Sequence, residues 1–173
     1  MLTVEVSMPH HPVIRQRTEV PLRREEWDLL VRLPGRLVVA STSALADPVR
    51  RTVTEGLAGI DAIAAGRAST SRLVRDVVAA IYAEVDDDQP PAEEFADRAA
   101  GIAGVFGACR RARRLLAERA SRADADAYRQ WLESIAGRVC RAARSGRSFG
   151  VGGQPASPAE LRFLAELAAT FDP

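Results

Sequence analysis

Past residue 22 the chain keeps returning to one pattern, apolar side chains at steps of three and four with charge between them. That period belongs to helices that bury one face. Its longest run lies near the C-terminus. Tyr128, Trp131, Leu132, Ile135, Val139 and Ala142 predict a helix over residues 124–144. Asp124 and Asp126 open it and Arg141 and Arg144 close it, a charge order that complements the helix dipole. Ser145 to Ala156 then carries four glycines and a proline, which forbid a stable helix. Ser157-Pro158-Ala159-Glu160 is a capping-box pattern with proline at the first helical position. It predicts a second arm whose inward face is Leu161, Leu164, Ala165, Ala168 and Phe171. The two arms read as a helical hairpin.

The earlier chain supplies partners for it. A short helix is expected over 23–33, with Trp27, Leu30 and Val31 on one side, limited by Pro34. Residues 36–45 are apolar nearly all round, as a buried helix or a buried strand would be. Asp47-Pro48 marks a helix start, and Gly66 its end. Val49, Val53, Leu57, Ile60 and Ile63 or Ala64 predict the inward side of that helix. Gly56 and Gly59 within it have a spacing that lets another helix approach closely. Ser69 or Ser71 caps a further helix to about Val85, with Leu73, Val77 and Ala80 or Ile81 on one side, widened by Val74, Val78 and Tyr82. A long helix is expected from Glu93 to about Arg119, with Phe95, Ala99, Ile102, Phe106, Cys109 and Leu116 along its apolar side. Residues 1–22 carry three prolines and no helical period. Leu2, Val4 and Val6 alternate with polar neighbours, as in a short strand or an extended arm. The expected fold is therefore all-α: a single bundle of six or seven helices closed by the C-terminal hairpin. An N-terminal arm spans 1–22, and the helical domain spans 23–173 in two halves joined near 86–92.

Composition sharpens this in a few places. An apolar fraction of 47% supports a core, and 27% charged residues is ordinary. No apolar run approaches the roughly 20 residues of a membrane helix. Residues 1–8 lack the charged start and apolar core of a signal peptide, so a cytoplasmic location is expected. All 24 Lys or Arg positions are arginine, a mark of a high-GC coding sequence. A net charge of +1 gives no global attraction to nucleic acid.

Candidate chemistry is sparse. His10 and His11 are the only histidines, too few for the three or four convergent ligands of a zinc site. Asp86-Asp87-Asp88 lacks the glycine and distal glutamate of a calcium loop. Cys109 and Cys140 form no CxxC pair and sit on or beside apolar stripes, as small buried hydrophobes do. With no histidine assigned as a base, cysteine catalysis is poorly supported. The glycine-rich run Arg147 to Gly153 follows a helix and lacks the GK[ST] ending of a phosphate loop. No metal, cofactor or catalytic residue is assigned. Arg110, Arg111, Arg113 and Arg114 form the most basic window. They read either as phosphate contacts or as dipole compensation with salt bridges to a neighbouring helix. Aromatic residues for stacking bases are not interleaved with them.

Glu26-Trp27-Asp28-Leu29-Leu30, Trp131 through Val139, Ser148-Phe149-Gly150-Val151-Gly152-Gly153 and Ser157-Pro158-Ala159-Glu160 together resemble small bacterial helical proteins grouped with the tellurite-resistance TerB-like fold. In those proteins the loop tends to read GFLGFGG; here Val151 stands where a second aromatic might. The resemblance implies an all-helical domain and acidic metal ligands after an Asp-Gly turn. No Asp-Gly occurs in this chain, so that metal site is not carried over.

These readings converge on a non-enzymatic interaction or accessory protein, stress-related by the resemblance. Trp27, the arginine window (Arg110, Arg111, Arg113, Arg114) and Phe149 are its candidate contacts. A protein partner or a homo-oligomer is expected. Nucleic-acid association through Arg110–Arg122 is the second reading. A ligand site between helices near Tyr82, Tyr128 and Arg129 is the third.

Overall fold

A computed structural model of the protein describes residues 20–44, 49–83, 92–145 and 157–172. Among these residues there are six α-helices and no strand. They are α1 (Arg24–Ser43), α2 (Val49–Ala65), α3 (Arg72–Ala83), α4 (Arg98–Arg119), α5 (Arg122–Ser145) and α6 (Pro158–Ala169). Short 3-10 turns follow α2 and precede α4. The all-α class predicted from the periodicity is the observed one.

The centre of the molecule is α5, which touches all five other helices. Tyr128, Leu132, Ile135, Ala136 and Val139 are fully buried along it. One core gathers residues from α1 to α6, so chain on either side of 84–91 contributes to the same apolar cluster. α6 packs on α5 and α4, and Phe163 meets Phe106 with ring centroids 5.3 Å apart. The segment joining α5 to α6 lies outside the described residues.

α1 departs from the prediction most instructively. It runs unbroken through Pro34, which is buried within it. A proline there has no amide to give the carbonyl four residues back, and an interior proline costs on the order of 3 kcal/mol. That carbonyl belongs to Leu30, and the Tyr128 hydroxyl donates to it at 2.8 Å. The hydrogen bond missing from the α1 ladder is thus replaced from α5. The expected break at Pro34 does not occur because a tertiary donor removes its main penalty. Residues 36–43 are helical rather than strand, and Leu37, Val38 and Ala40 enter the core.

Two other side chains fix the helix ends around α5. Trp131 Nε1 donates to the carbonyl of Ala62 at 3.3 Å, in the last turn of α2. The Asp124 carboxylate accepts from the hydroxyls of Ser71 at 2.6 Å and Ser121 at 2.7 Å. Those serines in turn accept from the amides of Val74 and Asp124, which makes them the caps of α3 and α5. One carboxylate therefore holds two helix starts together.

α4 begins later than expected. Residues 92–95 form a 3-10 turn, and Asp97 caps the helix by accepting from the amide of Ala100 at 3.1 Å. The turn folds back against Gly101, where a Cβ would lie 2.6 Å from the Phe95 ring. Glu94 pairs with Arg36 of α1 through Nε at 3.0 and 3.1 Å. Arg119 at the other end of α4 pairs with Glu26 at 4.0 Å, so α1 and α4 run antiparallel. At α6 the capping box forms as predicted, with Ser157 and Glu160 exchanging bonds of 2.8 and 3.1 Å. Its buried face differs, however. Glu160, Phe163, Leu167 and Thr170 turn inward, while Leu161 is 56% exposed and Ala165 and Ala168 are exposed. In that rotation Phe163 meets Phe106 with the two rings tilted 37° to each other.

Candidate interaction surface

α2 turns most of its predicted inward face to solvent, while Ile63 is buried as expected. Val53, Leu57 and Ile60 were expected inside; they are 63%, 59% and 54% exposed. The inward face is Glu55, Gly59 and Ala62, with Ile63 beside them, continued by Gly66 in the 3-10 turn that follows. The reason is distance of approach. A Cβ on Gly59 would lie 2.5 Å from Val38 Cγ1, and one on Gly66 2.7 Å from Trp131 Nε1. Small residues let α2 lie closer to α1 and α5 than a Val/Leu/Ile stripe would allow. The close fit turns the large side chains toward solvent. Singly exposed apolar residues are common, but three in line on one helix form a patch of the kind that marks contact sites.

Gly56 belongs to this outward side. Nothing stands within 4 Å of a Cβ built there. A glycine inside a helix costs roughly 1 kcal/mol against alanine, and at Gly56 no contact within the described residues uses the space it leaves.

Three of the four arginines singled out in the sequence lie along the solvent side of α4. Arg110, Arg111 and Arg114 are exposed and Arg113 is half-buried. Arg110 and Arg111 both reach over Gly107, with guanidinium nitrogens 4.0 and 3.9 Å from a Cβ built there. Among the described residues none of the four pairs with a carboxylate. Cations further along do pair: Arg119 with Glu26, and Arg122 with Asp126 at 3.8 Å. Trp27 is half-buried and packs against the core. Phe149, His10, His11 and Asp86–Asp88 lie outside the described residues.

Cys109 is fully buried on α4 beside Thr170, and burial pushes its thiol up to about 12. A thiol so held is not a nucleophile at neutral pH. Burial likewise moves the Tyr128 phenol well above its ordinary range, and its hydroxyl is engaged by Leu30. Arg129 is paired with Glu133 at 3.0 Å, and Arg67 stacks over Tyr82 at 4.1 Å from the ring centre. Among the described residues no group of three His, Cys, Asp or Glu side chains converges as metal ligands would. No helix among them is long and apolar enough to cross a membrane. No family model, curated protein or solved structure matches the chain.

The α2 patch escaped sequence reasoning because a helix with an apolar stripe normally buries it. A signal was present in Glu55, Gly59 and Ala62, continued by Gly66, a second line of mostly small residues opposite the apolar stripe.

Proposed function

We propose that the protein is a non-catalytic helical interaction module that works by offering the outward face of α2 to another helix. One observation carries this: Val53, Leu57 and Ile60 stand exposed in line on a helix whose other side is tightly packed. Helix-in-groove and helix-pair recognition use anchors at this spacing. The stress-related, TerB-like setting belongs to the same proposal and rests on the sequence segments that carry the resemblance.

A photo-crosslinking residue placed at position 57, with position 103 on the exposed side of α4 as control, tests it. Position 57 is expected to capture a discrete partner that position 103 does not, and Val53→Thr with Ile60→Thr is expected to abolish the capture without lowering Tm. Equal labelling from both positions rejects the module.

The arginine side of α4 supports a second reading, association with a phosphate-bearing polymer, because these cations have no carboxylate partner among the described residues. Replacing Arg110, Arg111, Arg113 and Arg114 by alanine then removes DNA or RNA retention at low salt. It also lowers the salt slope by about 0.7 to 0.9 for each phosphate no longer neutralised. No retention of the unmodified protein at low salt dismisses this reading.

A further inference from the structure

We infer that Arg110, Arg111 and Arg114 form a phosphate cradle over Gly107, and that it takes the backbone of a double-stranded nucleic acid without regard to sequence. The inference rests on the second reading above and names its polymer and its contact residues.

Geometry gives the first argument. Arg110 and Arg111 follow Gly107 by three and four positions, and Arg114 follows them by four and three, so all four residues share one face of α4. Helical side chains lean toward the N-terminus of their helix. The guanidinium groups of Arg110 and Arg111 accordingly converge over Gly107. Its chain neighbours and the helix backbone aside, nothing else stands within 4 Å of a Cβ built there.

Local rules do not account for these cations, which is the second argument. Like charges three and four positions apart repel. A glutamate at position 107 would precede Arg110 and Arg111 by three and four residues and neutralise them. The chain has glycine instead, the poorest helix former after proline. Dipole compensation acts in the last turn, where Arg119 sits, whereas Arg110 and Arg111 stand near the middle of Arg98–Arg119. Among the described residues no carboxylate pairs with any of the three. An anion from outside completes the group, through charge-assisted hydrogen bonds from two guanidinium forks.

Strength and surroundings choose the ligand. Exposed ion pairs are individually weak, so three of them hold a lone phosphate with a dissociation constant no better than about 1 mM. A polymer with a phosphate every ~3.4 Å along each strand gains from counterion release as well. On the N-terminal side of the cradle the exposed face is Ala99, Ala100, Ala103 and Gly104. It offers no ring on which unpaired bases could stack and no large apolar group to enter a bilayer. It also carries no side chain that reads base edges. This smooth flank lets a rigid duplex come close to the arginines. Contact is with phosphate alone, which positions a duplex without specifying its sequence.

Fluorescence anisotropy of two labelled duplexes of unrelated sequence tests this on the full chain. Both bind alike, and log K falls against log salt with a slope of about −2.7 for three neutralised phosphates, or about 40-fold between 50 and 200 mM. Arg110→Ala with Arg111→Ala lowers the slope to about −0.9 and weakens low-salt binding by at least about tenfold. Arg24→Ala with Arg138→Ala removes the same charge from exposed sites on α1 and α5 and leaves the slope unchanged. Gly107→Leu keeps the charge, suits a helix and fills the space between the two guanidinium groups. It weakens binding by about fivefold or more without lowering Tm. Full binding by Gly107→Leu, while the Arg110/Arg111 variant fails, overturns the cradle and leaves the second reading standing. Tighter binding of single strands, or a preference for one duplex, overturns the choice of polymer in the same way. Equal losses from the two double-alanine proteins, binding to anionic lipid vesicles in place of nucleic acid, or no duplex binding at low salt removes the inference and the second reading together.

Discussion

Tyr128→Phe deletes one oxygen and nothing else, yet it should expose the cost of running α1 through a proline. In the native protein the Leu30 carbonyl has no helical donor, because Pro34 has no amide. The Tyr128 hydroxyl replaces that donor at 2.8 Å, and both Leu30 and Tyr128 are fully buried. Phenylalanine keeps the ring and leaves the carbonyl buried and unsatisfied. That costs about 1 to 3 kcal/mol. For a chain of this size the matching fall in Tm is about 2 to 12 °C. The Pro34→Ala background separates this account from loss of packing. With alanine at 34 the helix supplies its own amide to Leu30, so Tyr128→Phe should then cost less by about 1 kcal/mol or more. Chemical denaturation of the four proteins of this cycle, read at constant m, measures the coupling directly. Equal costs of Tyr128→Phe in the two backgrounds, or a cost under about 0.5 kcal/mol with proline present, would refute the idea that the tyrosine stands in for the missing amide.

Two further outcomes follow from other parts of the core. Burial raises the Cys109 thiol from its ordinary value near 9 to about 12, so above pH 9 the unfolded chain loses this proton while the folded chain keeps it. Stability is therefore full below pH 9 and falls as pH rises toward 12, by up to about 1.4 kcal/mol per unit from this group. Cys109→Ala should flatten the decline between pH 9 and 10 in denaturant titrations, and an unchanged slope counts against it. Gly59→Ala forces a methyl to within 2.5 Å of Val38 Cγ1 and should destabilise by about 1 to 3 kcal/mol, largely relieved by adding Val38→Ala. Gly56→Ala, where nothing stands within 4 Å, should instead stabilise the monomer by up to about 1 kcal/mol. If the two glycines respond alike in thermal melts, the assignment of one inward and one outward face to α2 is wrong.

What the amino-acid order determined by itself is local. The period of three and four set an all-helical chain. Ser157-Pro158-Ala159-Glu160 set the start of α6, because a capping box needs only four consecutive residues. Cys109 on an apolar stripe was legible as a buried thiol for the same reason. Three things were decided only when the helices met. Pro34 is a breaker by local rules, and the hydroxyl that meets the carbonyl it leaves without an amide comes from 94 positions later. The rotation of α2 was settled by how closely Gly59 and Gly66 let it approach Val38 and Trp131, against the pull of its own apolar stripe. By sequence, Arg110, Arg111, Arg113 and Arg114 of α4 suited either ion pairs or solvent. Their freedom from carboxylates among the described residues depends on which side of α4 its neighbours cover. Helical propensity and caps act over a few bonds and are written in the chain. Which face goes inward depends on distances between segments far apart in sequence, and those exist only once the core has closed.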